Sequence, residues 1–85
     1  MQITVLYFAS LREQLGQASA CLQLPGDDWT VASLRTYLCA SSDAHALALA
    51  SEASIQAAVN QRMAIATTVV PAGAEVAFFP PVTGG

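Results

Sequence analysis

One segment of this sequence has the apolar spacing of an amphipathic helix, and the segments around it have the patterns of strands. Val31, Leu34 and Leu38 fall at i, i+3 and i+7, which places them on one face of a helix. Thr30 directly precedes this stripe and is a suitable N-cap, because its hydroxyl can accept a hydrogen bond from a first-turn N–H. The helix is expected to end by Ser41. With one main helix available, the strands must bury an apolar face against it.

The strongest strand pattern lies at the start of the chain, where Ile3, Val5 and Tyr7 alternate with a second set of β-forming residues that ends at Phe8. Weaker patterns predict strands at residues 18–24, 54–59, 63–66 and 75–79. Asn60 with the next residue is the predicted turn of a hairpin, since Asn tolerates a positive φ. Strands in this order around one crossover helix predict an α+β domain, a mixed sheet of about five strands wrapped on that helix.

Two short connections complete the pattern. Residues 9–16 are expected to contain one helical turn that stops at Gly16, and residues 43–50 a second short, alanine-rich helix or turn. If the first strand lies beside the last with Tyr7 and Phe78 facing the helix, Phe8 and Phe79 share the outer face of the sheet. The sequence therefore predicts an apolar docking patch on that face, with Met63 as a third member.

Composition restricts the partners of this domain. The 85 residues are 54% hydrophobic and 11% charged, with three arginines, no lysine and a net charge of −3. The absence of a basic cluster argues against nucleic acid and anionic lipid as partners. No apolar run has transmembrane length, and the first residues lack the features of a signal peptide. The two cysteines are then expected to be reduced thiols in the cytoplasm.

Few side chains offer chemistry of their own. His45 has no second histidine or nucleophile near it in sequence, and Cys21 and Cys39 have no metal-ligand spacing. Cys39 is interpreted as a small packed residue near the end of the main helix. Arg12 follows the first strand closely, and without further information it would be a solvated surface arginine. No metal site is predicted.

The last eight residues differ from the rest, because two aromatic residues lead into two prolines and then two glycines. Pro80 and Pro81 fix φ, remove two backbone donors and favour an extended exit from the sheet. Gly84 and Gly85 have no Cβ, so a partner protein can close around the backbone and reach a terminal carboxylate. The chain is accordingly divided into a domain at residues 1–79 and a tail at residues 80–85.

Three segments together resemble the small subunits of molybdopterin synthase, and the resemblance covers nearly the whole length. These segments are residues 5–9 with Arg12 and Glu13, residues 57–61, and residues 75–85 with their Phe-Phe-Pro-Pro-Val-Thr-Gly-Gly ending. The resemblance departs in two turns: Gly73-Ala74-Glu75 replaces a common Gly-Asp-Glu, and the hairpin turn has no glycine. Neither departure touches the ending, which is the most specific of the three segments.

The resemblance implies a β-grasp, ubiquitin-like fold and a sulfur carrier for molybdenum cofactor synthesis. In that family an E1-like adenylyltransferase uses Mg-ATP to adenylate the terminal glycine carboxylate, which is Gly85 here, and a sulfur donor protein converts it to a thiocarboxylate. The tail, here Pro80, Pro81, Val82, Thr83 and Gly84, enters the large subunit of a heterotetramer, where sulfur passes to a cyclic pyranopterin monophosphate. The carrier itself binds no cofactor. The family's docking positions correspond to Phe8, Arg12, Met63 and Phe79.

Three alternatives share parts of this pattern. A sulfur carrier for thiazole synthesis or transfer-RNA thiolation has the same fold and Gly-Gly ending but not the Phe-Phe-Pro-Pro run. A ubiquitin-like modifier would be conjugated to lysines of other proteins. A β-grasp ferredoxin is excluded, because two cysteines cannot supply the four thiolates of the usual iron–sulfur cluster.

Overall fold

Strands β1 (Gln2–Tyr7) and β5 (Glu75–Phe79) lie side by side and parallel in the middle of a mixed sheet. The computed structural model describes residues 1–50 and 54–81, and within these ranges the sheet has five strands in the order β2-β1-β5-β3-β4. The other strands are β2 (Ser19–Gln23), β3 (Gln56–Val59) and β4 (Arg62–Ala64), and their pairings are all antiparallel. The first and last strands are therefore neighbours, which is the condition for Phe8 and Phe79 to share one face.

One face of this sheet is covered by helices. Helix α2 (Val31–Cys39) buries the predicted stripe of Val31, Leu34 and Leu38, and the two short helices are α1 (Ser10–Leu15) and α3 (Asp43–Ala48). The inward-facing strand residues that meet them are almost fully buried: Ile3, Val5, Tyr7, Val76 and Phe78. A mixed sheet wrapped on one main helix is the β-grasp arrangement that was expected. No helix in the described ranges is long and apolar enough to cross a lipid bilayer.

Helix α2 begins at a fully satisfied end. The Thr30 hydroxyl accepts from the Ser33 N–H at 3.2 Å, and the Ser33 hydroxyl oxygen accepts from the Thr30 N–H at 2.9 Å, a reciprocal capping box. The next two free amides donate to carbonyl oxygens of the loop after β4, Val31 to Thr68 and Ala32 to Ala66, each at 3.0 Å. The loop is thereby held against the start of the helix.

This loop is where the strand prediction was wrong. A strand was expected to run to residue 66, but β4 ends at Ala64. The Ile65 N–H donates to the Thr68 side-chain oxygen, and the Thr68 N–H donates to the Ile65 carbonyl, so the chain turns away from β3. The carbonyls of the turn then bond to α2. Apolar alternation alone could not have shown this exchange of partners.

Two turns depend on left-handed backbone. Asn60 and Gln61 have φ values of 50° and 69°, which is the two-residue turn that matches the twist of a hairpin. Gly16 ends α1 with φ 69°, as the sequence predicted. The first two strands pair, and the connection between them contains the whole of α1.

Candidate partner-docking face and chain exit

The outer face of the sheet, opposite the helices, has an apolar row across its middle. The register aligns Leu6 with Ala77, Ala77 with Ala58, and Ala58 with Met63. The first three side chains are half-buried, whereas Met63 on the outermost strand is 66% exposed. Because two of the four are alanines, the row is a shallow apolar surface that ends in a flexible thioether.

Phe8 and Phe79 form the next row toward the chain exit. The Phe8 N–H donates to the Phe78 carbonyl oxygen at 3.2 Å, which continues the β1–β5 ladder one residue past the end of β1. Strand alternation then puts both phenylalanines on the outer face, since Tyr7 and Phe78 point into the core. Phe8 is 46% exposed and Phe79 is half-buried. The predicted placement of these two aromatics on one face agrees with the structure.

A sharp turn follows Phe8. Ala9 has φ 53° and ψ −128°, a backbone conformation that residues other than glycine adopt only with strain. The turn starts α1, whose first bond runs from the Leu11 N–H to the Phe8 carbonyl at 3.1 Å, and it places Arg12 one helical turn beyond Phe8. Arg12 is exposed, and no hydrogen bond or ion pair of its guanidinium is found within the described residues. It is therefore open to a carboxylate on a partner.

The exit of the chain lies at the same end of the sheet. Strand β5 ends at Phe79, opposite Gln56 of β3, and Pro80 and Pro81 follow without strand structure and half-buried. The remaining predicted tail residues, Val82, Thr83, Gly84 and the candidate reactive residue Gly85, lie outside the described ranges. What the structure brings together is therefore the aromatic row and the start of the tail. Met63 lies two strands away, at roughly 10 Å for a strand spacing near 4.8 Å.

Among the described residues no cluster of histidine, cysteine or acidic side chains could hold a metal ion, and both cysteines are free. Cys39 donates to the Leu49 carbonyl at 3.3 Å and packs against the core, as predicted. Glu75, half-buried at the start of β5, is the acidic residue of the outer face. The exposed apolar side chains of this face, Phe8 and Met63, suit contact with a partner protein.

Sequence reasoning missed a contact of His45. Its ring meets Tyr7 edge-on with centroids 6.0 Å apart, and Nδ1 lies 2.7 Å from the Ser42 hydroxyl that caps α3. Burial raises the pKa of the Tyr7 hydroxyl, which has no hydrogen-bond partner among the described residues. His45 thus packs α3 over the end of β1, directly before Phe8. This role depends on the edge-on contact with Tyr7, which the sequence spacing of the two residues does not reveal.

Comparison with known proteins gives matches along nearly the whole chain. Residues 5–85 match the ThiS family. The molybdopterin synthase sulfur carrier subunit of Escherichia coli (strain K12) is 45% identical over 83 residues, which are 98% of this chain and 99% of that protein. The protein of the same name from Haemophilus influenzae is 40% identical over 83 residues, again 98% of this chain and 99% of that protein.

Solved structures share the fold. SAMP1 from Haloferax volcanii, a small archaeal modifier protein, superposes with a TM-score of 0.77 and 29% identity over 100% of both chains. A protein–protein complex of subunits 1 and 2 of molybdopterin-converting factor from Helicobacter pylori contains a chain with a TM-score of 0.65 and 20% identity, again over 100% of both chains. The second likeness bears on the fold alone.

Proposed function

This chain belongs to the ThiS family, and we propose that it is the sulfur carrier subunit of a molybdopterin synthase. The observation that carries the proposal is the 45% identity to a sulfur carrier subunit of that enzyme over 98% of this chain. The family match extends to residue 85, so it includes the Gly-Gly ending on which the chemistry depends. The exit of the chain beside Phe8 and Phe79 supports the same function.

The proposed chemistry takes place at Gly85. A carboxylate oxygen of Gly85 attacks the α-phosphate of Mg-ATP, and pyrophosphate leaves. A sulfur nucleophile at the oxidation level of sulfide then attacks the carbonyl carbon of the acyl-adenylate, and AMP leaves with the C–O bonding electrons. The product is a thiocarboxylate, which is a nucleophile at neutral pH. Its sulfur attacks a carbon of a cyclic pyranopterin monophosphate, and an oxygen substituent of that carbon leaves with the C–O bonding electrons. Water then cleaves the remaining acyl–sulfur bond, and the carboxylate is restored.

The proposed role of the domain is to deliver this group. Phe8, Phe79 and the apolar row dock on the large subunit of the synthase, because interface energy concentrates on aromatic anchors. Arg12 pairs with a carboxylate of the partner. Pro80 and Pro81 leave the sheet next to that surface, and the six residues from Pro80 onward reach at most roughly 20 Å when extended. That length is sufficient to bring a terminal group into a partner's pocket while the domain stays outside it.

The other partners follow from the same chemistry. An E1-like adenylyltransferase binds the ATP and Mg²⁺, a sulfur donor protein supplies the sulfur, and this chain holds neither cofactor. The synthase is proposed to be a heterotetramer with one carrier at each end of a dimer of large subunits. Two free cysteines fit a reducing compartment, and we propose the cytoplasm.

The proposal is tested by weighing the intact protein. The full chain is incubated with the activating enzyme, Mg-ATP and a sulfide source, and mass spectrometry is used to detect exchange of one oxygen for sulfur. A Cys21→Ser, Cys39→Ser double variant is the matched control, because it retains the C-terminus and removes every thiol that could take up sulfur. Equal exchange in both proteins, localised to Gly85 in a C-terminal fragment, supports the proposal. Sulfur found only on cysteine in the wild type contradicts it.

A second function is favoured by one specific observation, the full-length likeness to a small archaeal modifier protein at 29% identity. The activated Gly85 would then form an isopeptide bond with a lysine of another protein. Immunoblotting of cells for covalent adducts distinguishes the functions, since a dedicated carrier gives few adducts and a modifier gives a ladder. A carrier for thiazole synthesis or transfer-RNA thiolation would show thiocarboxylate formation but no sulfur transfer to the pyranopterin.

A further inference from the structure

Strand β2 is an edge of the sheet, and the backbone groups of alternate residues point away from the domain. The flanking bonds to β1, Tyr7 N–H to Ala18 carbonyl and Leu24 N–H to Met1 carbonyl, show which residues of β2 face β1. Antiparallel ladders alternate, so the even-numbered residues bond to β1 and the odd-numbered ones face outward. Ser19, Cys21 and Gln23 therefore direct three N–H and three C=O groups outward.

This edge has none of the usual protection against pairing. Natural edge strands are blunted by charge, proline, bulges or short length. Strand β2 is five residues long, without charge or proline, and its register with β1 is unbroken from Leu6–Ser19 to Gln2–Gln23. The opposite edge, β4, is three residues long and begins with the exposed Arg62. The two edges thus differ: β4 is protected against pairing by its short length and its charge, and β2 is not.

The strand is also complementary to itself. We propose that two copies of this chain pair through β2, antiparallel about a two-fold axis at Cys21. In that register Ser19 faces the partner's Gln23, Cys21 faces the partner's Cys21, and Gln23 faces the partner's Ser19. Every outward N–H meets an outward C=O, which gives six hydrogen bonds across the seam. A shift by one residue would leave outward groups opposite inward ones, so this register is favoured over its neighbours.

The side chains agree with this pairing. Ala20 and Leu22 are half-buried on the helix side of the sheet. Across the seam, Ala20 of each copy lies opposite Leu22 of the other copy, so the pairing extends the apolar layer. Ser19, Cys21 and Gln23 are exposed on the outer face and bring no charge to the seam. Asp27 and Asp28, which follow the strand, lie at opposite ends of an antiparallel pair and do not face each other. The seam itself therefore places no like charges opposite each other.

The pairing is independent of the proposed sulfur chemistry. Strand β5, which leads to the tail, is two strands from β2, and edge pairing leaves the row of Phe8 and Phe79 uncovered. The dimer would therefore present two tails at once. A failure of dimerisation would leave the sulfur-carrier function untouched, and a failure of sulfur loading would leave the dimer untouched.

Two charge variants test both the contact and its register. Ser19→Lys with Gln23→Lys puts lysine opposite lysine at both outer pairs, whereas Ser19→Lys with Gln23→Glu puts lysine opposite glutamate. Both variants change the same two exposed positions, so they are matched for effects on folding, which circular dichroism melting checks. Sedimentation equilibrium of the full chains measures the dimer dissociation constant, and short thiol–thiol cross-linking reports the Cys21 pair, with Cys21→Ser as its control.

We expect the wild type to dimerise with concentration and to cross-link through Cys21. The Lys/Lys variant should dimerise about tenfold or more weakly than the Lys/Glu variant, because two like-charged pairs replace two opposite-charged ones. A wild type that stays monomeric to millimolar concentration overturns the proposal. So does a dimer that responds equally to the two variants, since its contact would then lie elsewhere or in another register.

Discussion

The amide of Phe8 donates to the carbonyl oxygen of Phe78, at 3.2 Å, although Phe8 lies beyond β1 and its side chain is exposed while Phe78 is buried. A ladder bond of the parallel pair thus sets the position of an exposed aromatic. Its neighbour Phe79 is the last residue of β5 and is in register with Gln56 of β3. Because backbone pairing positions Phe8 and its ring is 46% exposed, this ring can be removed with little loss of fold.

Removing these rings should separate binding from stability. Phe8→Ala and Phe79→Ala are expected to weaken the complex with the large subunit by about 2 kcal/mol or more, as interface aromatics do. The melting temperature should change little for Phe8, which is 46% exposed. Titration calorimetry and thermal melting measure the two effects. Phe78→Ala is the contrast, since deleting a buried ring costs about 3–5 kcal/mol of folding stability.

Changing the end of the chain should abolish sulfur transfer without unfolding the domain. Deleting Gly85, or adding one residue after it, moves the carboxylate from the position that the activating enzyme must reach. Intact mass spectrometry should then show no exchange of oxygen for sulfur, while the melting curve stays that of the wild type. Full activity of the extended chain would show that Gly85 is not the reactive residue.

The hairpin turn offers a stabilising substitution. Gln61 has φ 69°, where a residue with a Cβ is strained and glycine is not. We expect Gln61→Gly to raise the free energy of unfolding by about 0.5–1 kcal/mol, measured by urea denaturation. Gly16→Ala is the opposite control, because Gly16 has the same φ of 69° and alanine there should destabilise. A loss of stability in Gln61→Gly would contradict the turn geometry.

Tyr7 should lose its proton at a higher pH than an exposed tyrosine, and the folded state should become less stable at high pH. Its hydroxyl is buried and unpartnered, and burial raises its pKa above the ordinary 10.0. Above that pH the unfolded chain loses the proton first, so the contribution to stability is full below pH 10 and falls as pH rises toward the folded pKa. Absorbance titration of a Tyr37→Phe variant, in which Tyr7 is the remaining tyrosine, should show a midpoint above 10.

The companion variant Tyr7→Phe removes the hydroxyl that has no partner. Its stability at neutral pH should equal or exceed that of the wild type, because no hydrogen bond is lost. Its stability should also fall less steeply above pH 10 than that of the wild type. A loss of more than about 1 kcal/mol at neutral pH would mean that the hydroxyl does bond in solution.

The sequence predicted those parts of the fold that depend on local pattern. Alternation in β1 and β5 indicated the faces of Phe8 and Phe79, and the stripe from Val31 indicated α2. The loop that bonds to the start of α2 could not be predicted, because the carbonyl of Thr68 finds its amide partner only through tertiary contact. The chemistry assigned to Gly85 came from family resemblance, since nothing in the pattern of a chain end specifies sulfur.

Strand β5 has a consequence for the fate of incomplete chains. It alone joins the β2–β1 pair to the β3–β4 pair, so a chain that stopped before Glu75 would have two ladders with no hydrogen bond between them. Such a product would expose the apolar faces of both ladders and be removed by proteolysis or aggregation. Nonsense truncation before Glu75 should therefore act as simple loss of protein. A folded decoy that occupies the partner without a working end can arise only from a chain that keeps β5.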